Sequence, residues 1–304
     1  MSVVRGFFSG VLGFLLFDVL VLLGLIISLN LTILNPDFVT AELQKLDVYS
    51  VVIEQAKTML PSQQFINPET VDELAQELKP WFEEQADKVI RDVYSYLKED
   101  RELNVIISLE QVRALVKEKV KEAALELLPP ELQGVPQSQI DAYMSQVYSG
   151  IDSVIPASFI LNEAAVGSQI MAQLEQIKQI ISYISTAYKV LIILAVVLVL
   201  LIALAQWWRP KPITLSIGIT FTLVGVACIL GSLLNSLMAQ MLSQLVGTSG
   251  IMSEFQAKLP QLVADLTAPV RMYGIGFLIS GVALIVISIL FRSMEPRPDV
   301  KNTY

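Results

Sequence analysis

The chain has 304 residues, 54% of them hydrophobic and 16% charged, with a formal net charge of −8. Soluble chains average about 25% charged residues, so the composition points to a membrane protein with a water-exposed part. There is no histidine and a single cysteine, Cys228. That excludes Ser-His-Asp, Cys-His and His-ligated metal chemistry, an intrachain disulfide and a cysteine-cluster metal site.

Crossing a bilayer core of about 30 Å takes roughly 20 apolar residues in a helix. The first such run covers residues 7–34, with Asp18 its one charge. It is about twice the 7–15 residues of a signal-peptide core, and no small-residue cleavage site follows it. It is therefore expected to stay as a signal anchor, with residues 1–34 forming a cytoplasmic amino terminus and the first span. Asn30-Leu31-Thr32 matches a glycosylation sequon, but at the membrane edge no sugar is expected.

Residues 35–189 read as a water-exposed, almost wholly helical domain. Asn35-Pro36-Asp37 and Asn67-Pro68-Glu69 each place a capping residue, a proline at the first helical position and an acid at the positive helix end. Pro80 is expected to end one helix, and the next to run over 81–98. Residues 103–107 are strand-like but lack an evident partner, so a linker or lone edge is expected. Ser108 and Gln111 fit a capping box, and Pro129-Pro130 should stop the helix that follows. A shorter helix is expected over 138–148. Arg113, Lys117 and Lys121 form a row beside Glu118, Glu122 and Glu126, read as a solvated, internally paired face.

No proline interrupts the chain from Ser158 to Pro210, which predicts one long stalk helix running into the second span. Within it Ile170, Leu174, Ile177, Ile181, Ile184 and Tyr188 alternate steps of four and three, a heptad seam. The seam should pack on the domain's own helices or form an interface for self-association or a protein partner.

The remaining spans are expected at 190–208, 213–241 and 272–291. Residues 209–212 form a cytoplasmic loop, 242–271 a short outer loop and 292–304 a cytoplasmic tail. Trp207, Trp208 and Arg209 have the composition of an interfacial membrane anchor. Gly6/Gly10, Ala227/Gly231 and Gly276/Ser280 fit small-xxx-small helix packing. Arg5, the Arg209/Lys211 loop and Arg292, Arg297 and Lys301 all fall on one side of a four-span layout, which the positive-inside rule makes cytoplasmic. Residues 35–189 carry 24 acidic and 13 basic residues, which suits an extracytoplasmic domain and argues against nucleic-acid binding, since phosphate affinity comes from lysine and arginine.

The fold class expected is an all-α membrane protein, with four transmembrane helices and a large helical extracytoplasmic domain inserted between helices 1 and 2. The setting expected is a prokaryotic plasma membrane with both termini cytoplasmic. This layout resembles that of the permeases of mechanotransmitting ABC transporters, in topology alone. It departs from them where an ATPase would couple, because 209–212 is too short for a coupling helix.

The sequence has no GxxxxGK[ST] loop, no GxGxxG at a strand-to-helix turn and no HExxH. No catalytic, cofactor-binding or metal-ligating residue is expected. The favoured function is a non-enzymatic interaction, sensing or scaffold module of a membrane complex. The alternative is an oligomeric channel or transporter subunit using Asp18 with the polar third span, where Ser216, Thr220 and Asn235 stand. Acids in a membrane helix are costly and usually face protein or water, and Ser216, Thr220 and Ser288 are the expected neighbours of Asp18.

Overall fold

A computed structural model describes residues 2–59, 68–99, 101–126, 137–235, 237, 239–241 and 250–293. Chain order is α1 (Ser2–Leu31), α2 (Pro36–Lys45), α3 (Val48–Met59), α4 (Pro68–Lys98), β1 (Asn104–Ser108), α5 (Glu110–Glu126), α6 (Gln137–Val154), β2 (Ser158–Asn162), α7 (Glu163–Val166), α8 (Ser168–Ala205), α9 (Pro210–Ser232) and α10 (Gly250–Ser293). Four helical segments are long and apolar enough to cross a membrane: Gly6–Leu31, Ser168–Ala205, Pro210–Ser232 and Lys258–Leu290.

The chain forms two compact units, one of Met1–Val39 with Ser182–Tyr304 and the other of Thr40–Ile181. The large extracytoplasmic domain expected between the first two spans is not supported, because the candidate spans are not arranged as that layout requires. The second candidate span belongs to a helix that starts at Ser168, and the fourth to one that starts at Gly250. Helical hydrogen bonding continues wherever the backbone permits, so apolar composition alone does not mark where a helix begins.

The helix α2 opens as its sequence predicts: the Asn35 side chain accepts the Asp37 N–H at 3.0 Å. The break expected at Pro80 does not occur, and α4 continues through it. Proline removes one helical donor, and here the residues on both sides are held from outside the helix. Lys79 Nζ donates to Ser50 Oγ at 2.7 Å and to Asp47 at 3.2 Å. Trp81 Nε1 donates to the Ser108 carbonyl at 3.0 Å.

The all-α expectation is also corrected. The strand-like segment is β1, and it has a partner: β2 pairs with it antiparallel, Ile106 opposite Ile160. Leu103 and Val105 are buried, as are Tyr49, Tyr96, Leu97, Met144 and Ile181 in the same unit. The single helix expected from Ser158 is broken because Ser158–Asn162 is committed to this ribbon. Asn162 then caps α7 by accepting the Ala165 N–H at 3.0 Å. Gly167 follows with φ +83, a left-handed conformation that glycine adopts without a Cβ penalty, and α8 starts beyond it.

The Ser108–Gln111 capping box is not formed. Ser108 stays in β1, its N–H donating to Gln85 Oε1 at 3.2 Å. Leu109 opens α5 instead, its carbonyl accepting the Arg113 N–H at 2.9 Å. The solvated row is corrected as well. Arg113 and Lys117 both pair with Asp152 on α6, Lys117 at 2.6 Å. Lys119, outside the row, meets Glu77 and Glu122 at 3.3 Å. Pro129-Pro130 and the Asn67 cap lie outside the described residues.

In the other unit, Leu16, Val19, Leu20, Leu23, Leu198, Ile202, Val224 and Cys228 form the core of the helix bundle. The closest packing joins α9 to α10. A Cβ built at Gly225 would lie 2.6 Å from the Leu278 nitrogen, and one at Gly281 would lie 2.5 Å from the Thr222 nitrogen. A Cβ at Gly218 would stand 3.0 Å from the Gly281 carbonyl, and one at Gly274 3.0 Å from the Gly225 carbonyl. Contacts therefore step by seven along α9 and back by seven along α10, the repeat of two antiparallel helices meeting along a heptad seam. Ser288 Oγ donating to the Lys211 carbonyl at 2.9 Å continues the same register. The small-xxx-small expectation is corrected here: Gly6, Gly10, Gly231 and Gly276 have nothing within 4 Å of an added Cβ.

α10 runs through Pro260 and Pro269, where a loop was expected up to residue 271. Near Pro269 the Leu266 carbonyl accepts from Ser28 Oγ of α1 at 3.4 Å, which ties α10 to α1. Tyr273 fastens α1 further along, donating from its hydroxyl to the Leu20 carbonyl at 3.0 Å. Its ring fills the space of a Cβ at Gly24, 2.6 Å away.

Candidate functional site

The α8–α9 connection is four residues long and strained. Trp208 N–H bonds the Ala203 carbonyl and Trp207 N–H the Leu204 carbonyl, both at 3.0 Å. This is the paired hydrogen bonding of a Schellman helix end, where glycine is the usual left-handed residue. Here Trp207 and Trp208 take φ of 53 and 54, at a cost of about 1–2 kcal/mol for each residue with a Cβ. Both rings are exposed. Arg209 follows as the N-cap of α9, with Pro210 at its first position.

A polar chain ties this turn to the bundle. Gln206 Nε2 donates to Ser9 Oγ at 2.7 Å, and Ser9 Oγ lies 3.3 Å from Ser216 Oγ. One turn further, a Cβ at Gly13 would stand 3.3 Å from Thr220 Oγ1. Gln206 Oε1 is buried and finds no hydrogen-bond partner among the described residues, and the same is true of Asn235 Oδ1. Sequence reading named Ser216 but missed Ser9 and Gln206. The signal was present, since Gln206 is the one polar residue in 190–206 and Ser9 the one hydroxyl in 6–17.

No hydrogen bond joins Asp18 to Ser216, Thr220 or Ser288 among the described residues. Among the described residues Asp18 has no hydrogen bond or ion pair, and it is partly buried on α1. Thr220 donates back to the Ser216 carbonyl at 3.1 Å, Thr222 to the Gly218 carbonyl at 2.8 Å and Ser232 to the Ile229 carbonyl at 2.7 Å. Most hydroxyls of the third span are thus satisfied within their own helix, and Ser288 is taken by the Lys211 carbonyl.

The heptad seam divides. Ile181 is buried, and Leu174, Ile184 and Tyr188 are half-buried. Ile170 and Ile177 stay exposed at 53% and 43%, and Ile180, off the seam, at 56%. The covered side of α8 is rotated toward Met171, Leu174, Lys178 and Ile181, where Lys178 Nζ sits 5.0 Å from the centre of the Tyr96 ring. Burial raises the Tyr96 hydroxyl above the ordinary phenol range, Glu175 and Glu163 adding to the rise and Lys178 opposing it. Tyr188 contributes instead to an open cleft of about 250 Å³ with Ile27, Asn30, Leu31 and Ser185. In the sequon, Thr32 is buried and donates to the Ser28 carbonyl at 2.7 Å, while Asn30 Nδ2 donates to the Ile26 carbonyl at 3.0 Å.

No protein family, curated protein or solved structure matches this chain. What it can do follows from these residues alone.

Proposed function

We propose that this is a non-enzymatic integral membrane protein whose acidic helical unit, outside the cytoplasm, serves as an interaction module of a membrane complex. The observation that carries the reading is the uncovered apolar stripe of Ile170, Ile177 and Ile180 along the first half of α8. A 38-residue helix is about 57 Å long at 1.5 Å per residue, nearly twice the apolar core of a bilayer. The glutamine-rich first half, with Glu175 and Lys178, is the half that suits water. Exposed apolar side chains repeating along a helix in water are the pattern by which helices dock partners. The absence of histidine from the sequence and the lack of nucleotide or protease motifs support a binding role over a catalytic one.

The test places a photo-crosslinking amino acid in turn at Ile170, Ile177 and Ile180. Glu175 and Gln179, exposed on the other side of the helix, serve as controls. Adducts in intact membranes at the isoleucines and not at the two controls are expected. Equal adducts on both faces, or none on the stripe, would sink the reading.

A further inference from the structure

We propose that the free edge of β2 pairs with β2 of a second copy of this chain, closing a four-stranded antiparallel sheet across a two-fold axis at Ile160. Antiparallel neighbours alternate between pairs that exchange hydrogen bonds and pairs whose N–H and C=O point away. Ser108 N–H donates to Gln85, and the Ile106 carbonyl accepts from Lys88 Nζ at 2.8 Å. Ile106 and Ser108 therefore turn their polar backbone away from β2. By the observed register their opposites, Ile160 and Ser158, turn theirs away from β1, while Asn162, the cap of α7, commits its carbonyl to that helix and keeps its N–H for the edge. The Leu109 N–H bonding the Ala157 carbonyl at 2.8 Å fits the same alternation.

The two edges are treated differently. The outer edge of β1 is covered by Trp81, Gln85 and Lys88 of α4, which meet its carbonyls and N–H directly. Ser158, Phe159, Ile160 and Asn162 of β2 are exposed, and no hydrogen bond to the outward backbone of Ile160 is found among the described residues. Natural edge strands are usually blunted by charge, proline or a bulge. Ser158–Asn162 has none of these.

The occupant follows from symmetry and charge. With Ile160 on the axis, its N–H and C=O meet those of its own copy, and Ser158 meets Asn162. The exposed pair Ile106 (42%) and Ile160 (49%) would become a row of four isoleucines across the joined sheets. On the opposite face Phe159, 48% exposed, would meet Leu161 of the copy. Residues 153–162 carry no charge, so two acidic units meet here without like charges facing one another across the strands. A self-complementary patch of this kind closes as a dimer. The α8 stripe takes no part in this pairing, and the two proposals stand or fall separately.

The test is the mass of the full chain in lipid nanodiscs or mild detergent, with two variants. Ile160→Pro removes an N–H that points away from β1, so the β1–β2 ladder is retained while the new pairing is lost. Ile160→Lys leaves the backbone intact and sets two like charges on the axis. The unaltered chain is expected as a dimer, and both variants as monomers with unchanged helical circular dichroism. In a Cys228→Ala background, Ile160→Cys should cross-link to a dimer under mild oxidation, since opposed residues of a hydrogen-bonded pair lie about 5.5 Å apart, within disulfide reach. A monomeric unaltered chain would overturn the proposal. So would a dimer that both variants leave intact, or an Ile160→Cys chain that cross-links only to a foreign protein.

Discussion

Gly225 and Gly281 show how much a single missing methyl can decide. A Cβ at either would come within 2.6 Å of backbone on the facing helix, and backbone cannot step aside as a side chain end can. Gly225→Val is therefore expected to destabilise the bundle by about 1–3 kcal/mol, the usual range for overpacking. Gly231→Val, with open space around it, should be nearly silent. Denaturant titration of both variants in detergent checks this, and equal losses would refute the seam. The glycines are visible in the sequence, but the small-residue pattern suggests a spacing of four where a spacing of seven operates. Both repeats return a residue to the same helix face, so only the facing helix distinguishes them. Trp207 and Trp208 are legible as interfacial residues by type. Their left-handed backbone is not, because nothing in two tryptophans signals a conformation that normally calls for glycine.

Among the elements, α5 and α6 are joined by charge, and the basic row of α5 is not simply a solvated face. The Lys117 ammonium hydrogen-bonded to Asp152, with Arg113 beside it, holds the Asp152 carboxyl below the usual carboxylate range. A carboxyl with a depressed native pKa stabilises the fold fully above the ordinary aspartate value of about 3.9, and the contribution is lost as pH falls through the native value. The unaltered chain should thus lose more stability than Asp152→Asn on going from neutral pH to acid below that range. Denaturant midpoints of both proteins across pH measure the difference, and parallel curves would dismiss the pair. Asp152 is invisible to local spacing rules because it lies 39 residues from Arg113, and those rules see only the i+3 and i+4 neighbours. The strand pairing is hidden for the same reason. Residues 103–107 are recognisably strand-like, but their partner has the look of a helix start until the ribbon and Gly167 claim it.

For the whole molecule, charge makes the strongest forecast. The proposed function carries an orientation with it: by the positive-inside rule Arg209 is expected on the cytoplasmic side, and the acidic 40–181 unit on the other. In a Cys228→Ala background, a cysteine at exposed Ser153 should react with a membrane-impermeant maleimide in intact cells. One at Arg209 should react only after lysis. The reverse pattern would invert the topology. Four apolar helices, their order and the acidic stretch between the first two were determined by the sequence itself, because crossing a bilayer is a matter of length and composition. Where the helices start, that α10 passes through two prolines, that α9 and α10 mesh on glycines and that β1 has a partner were decided by the tertiary structure. Each of these depends on an atom supplied by a distant part of the chain, a carbonyl, a ring or a facing backbone, and no local pattern can specify which one arrives.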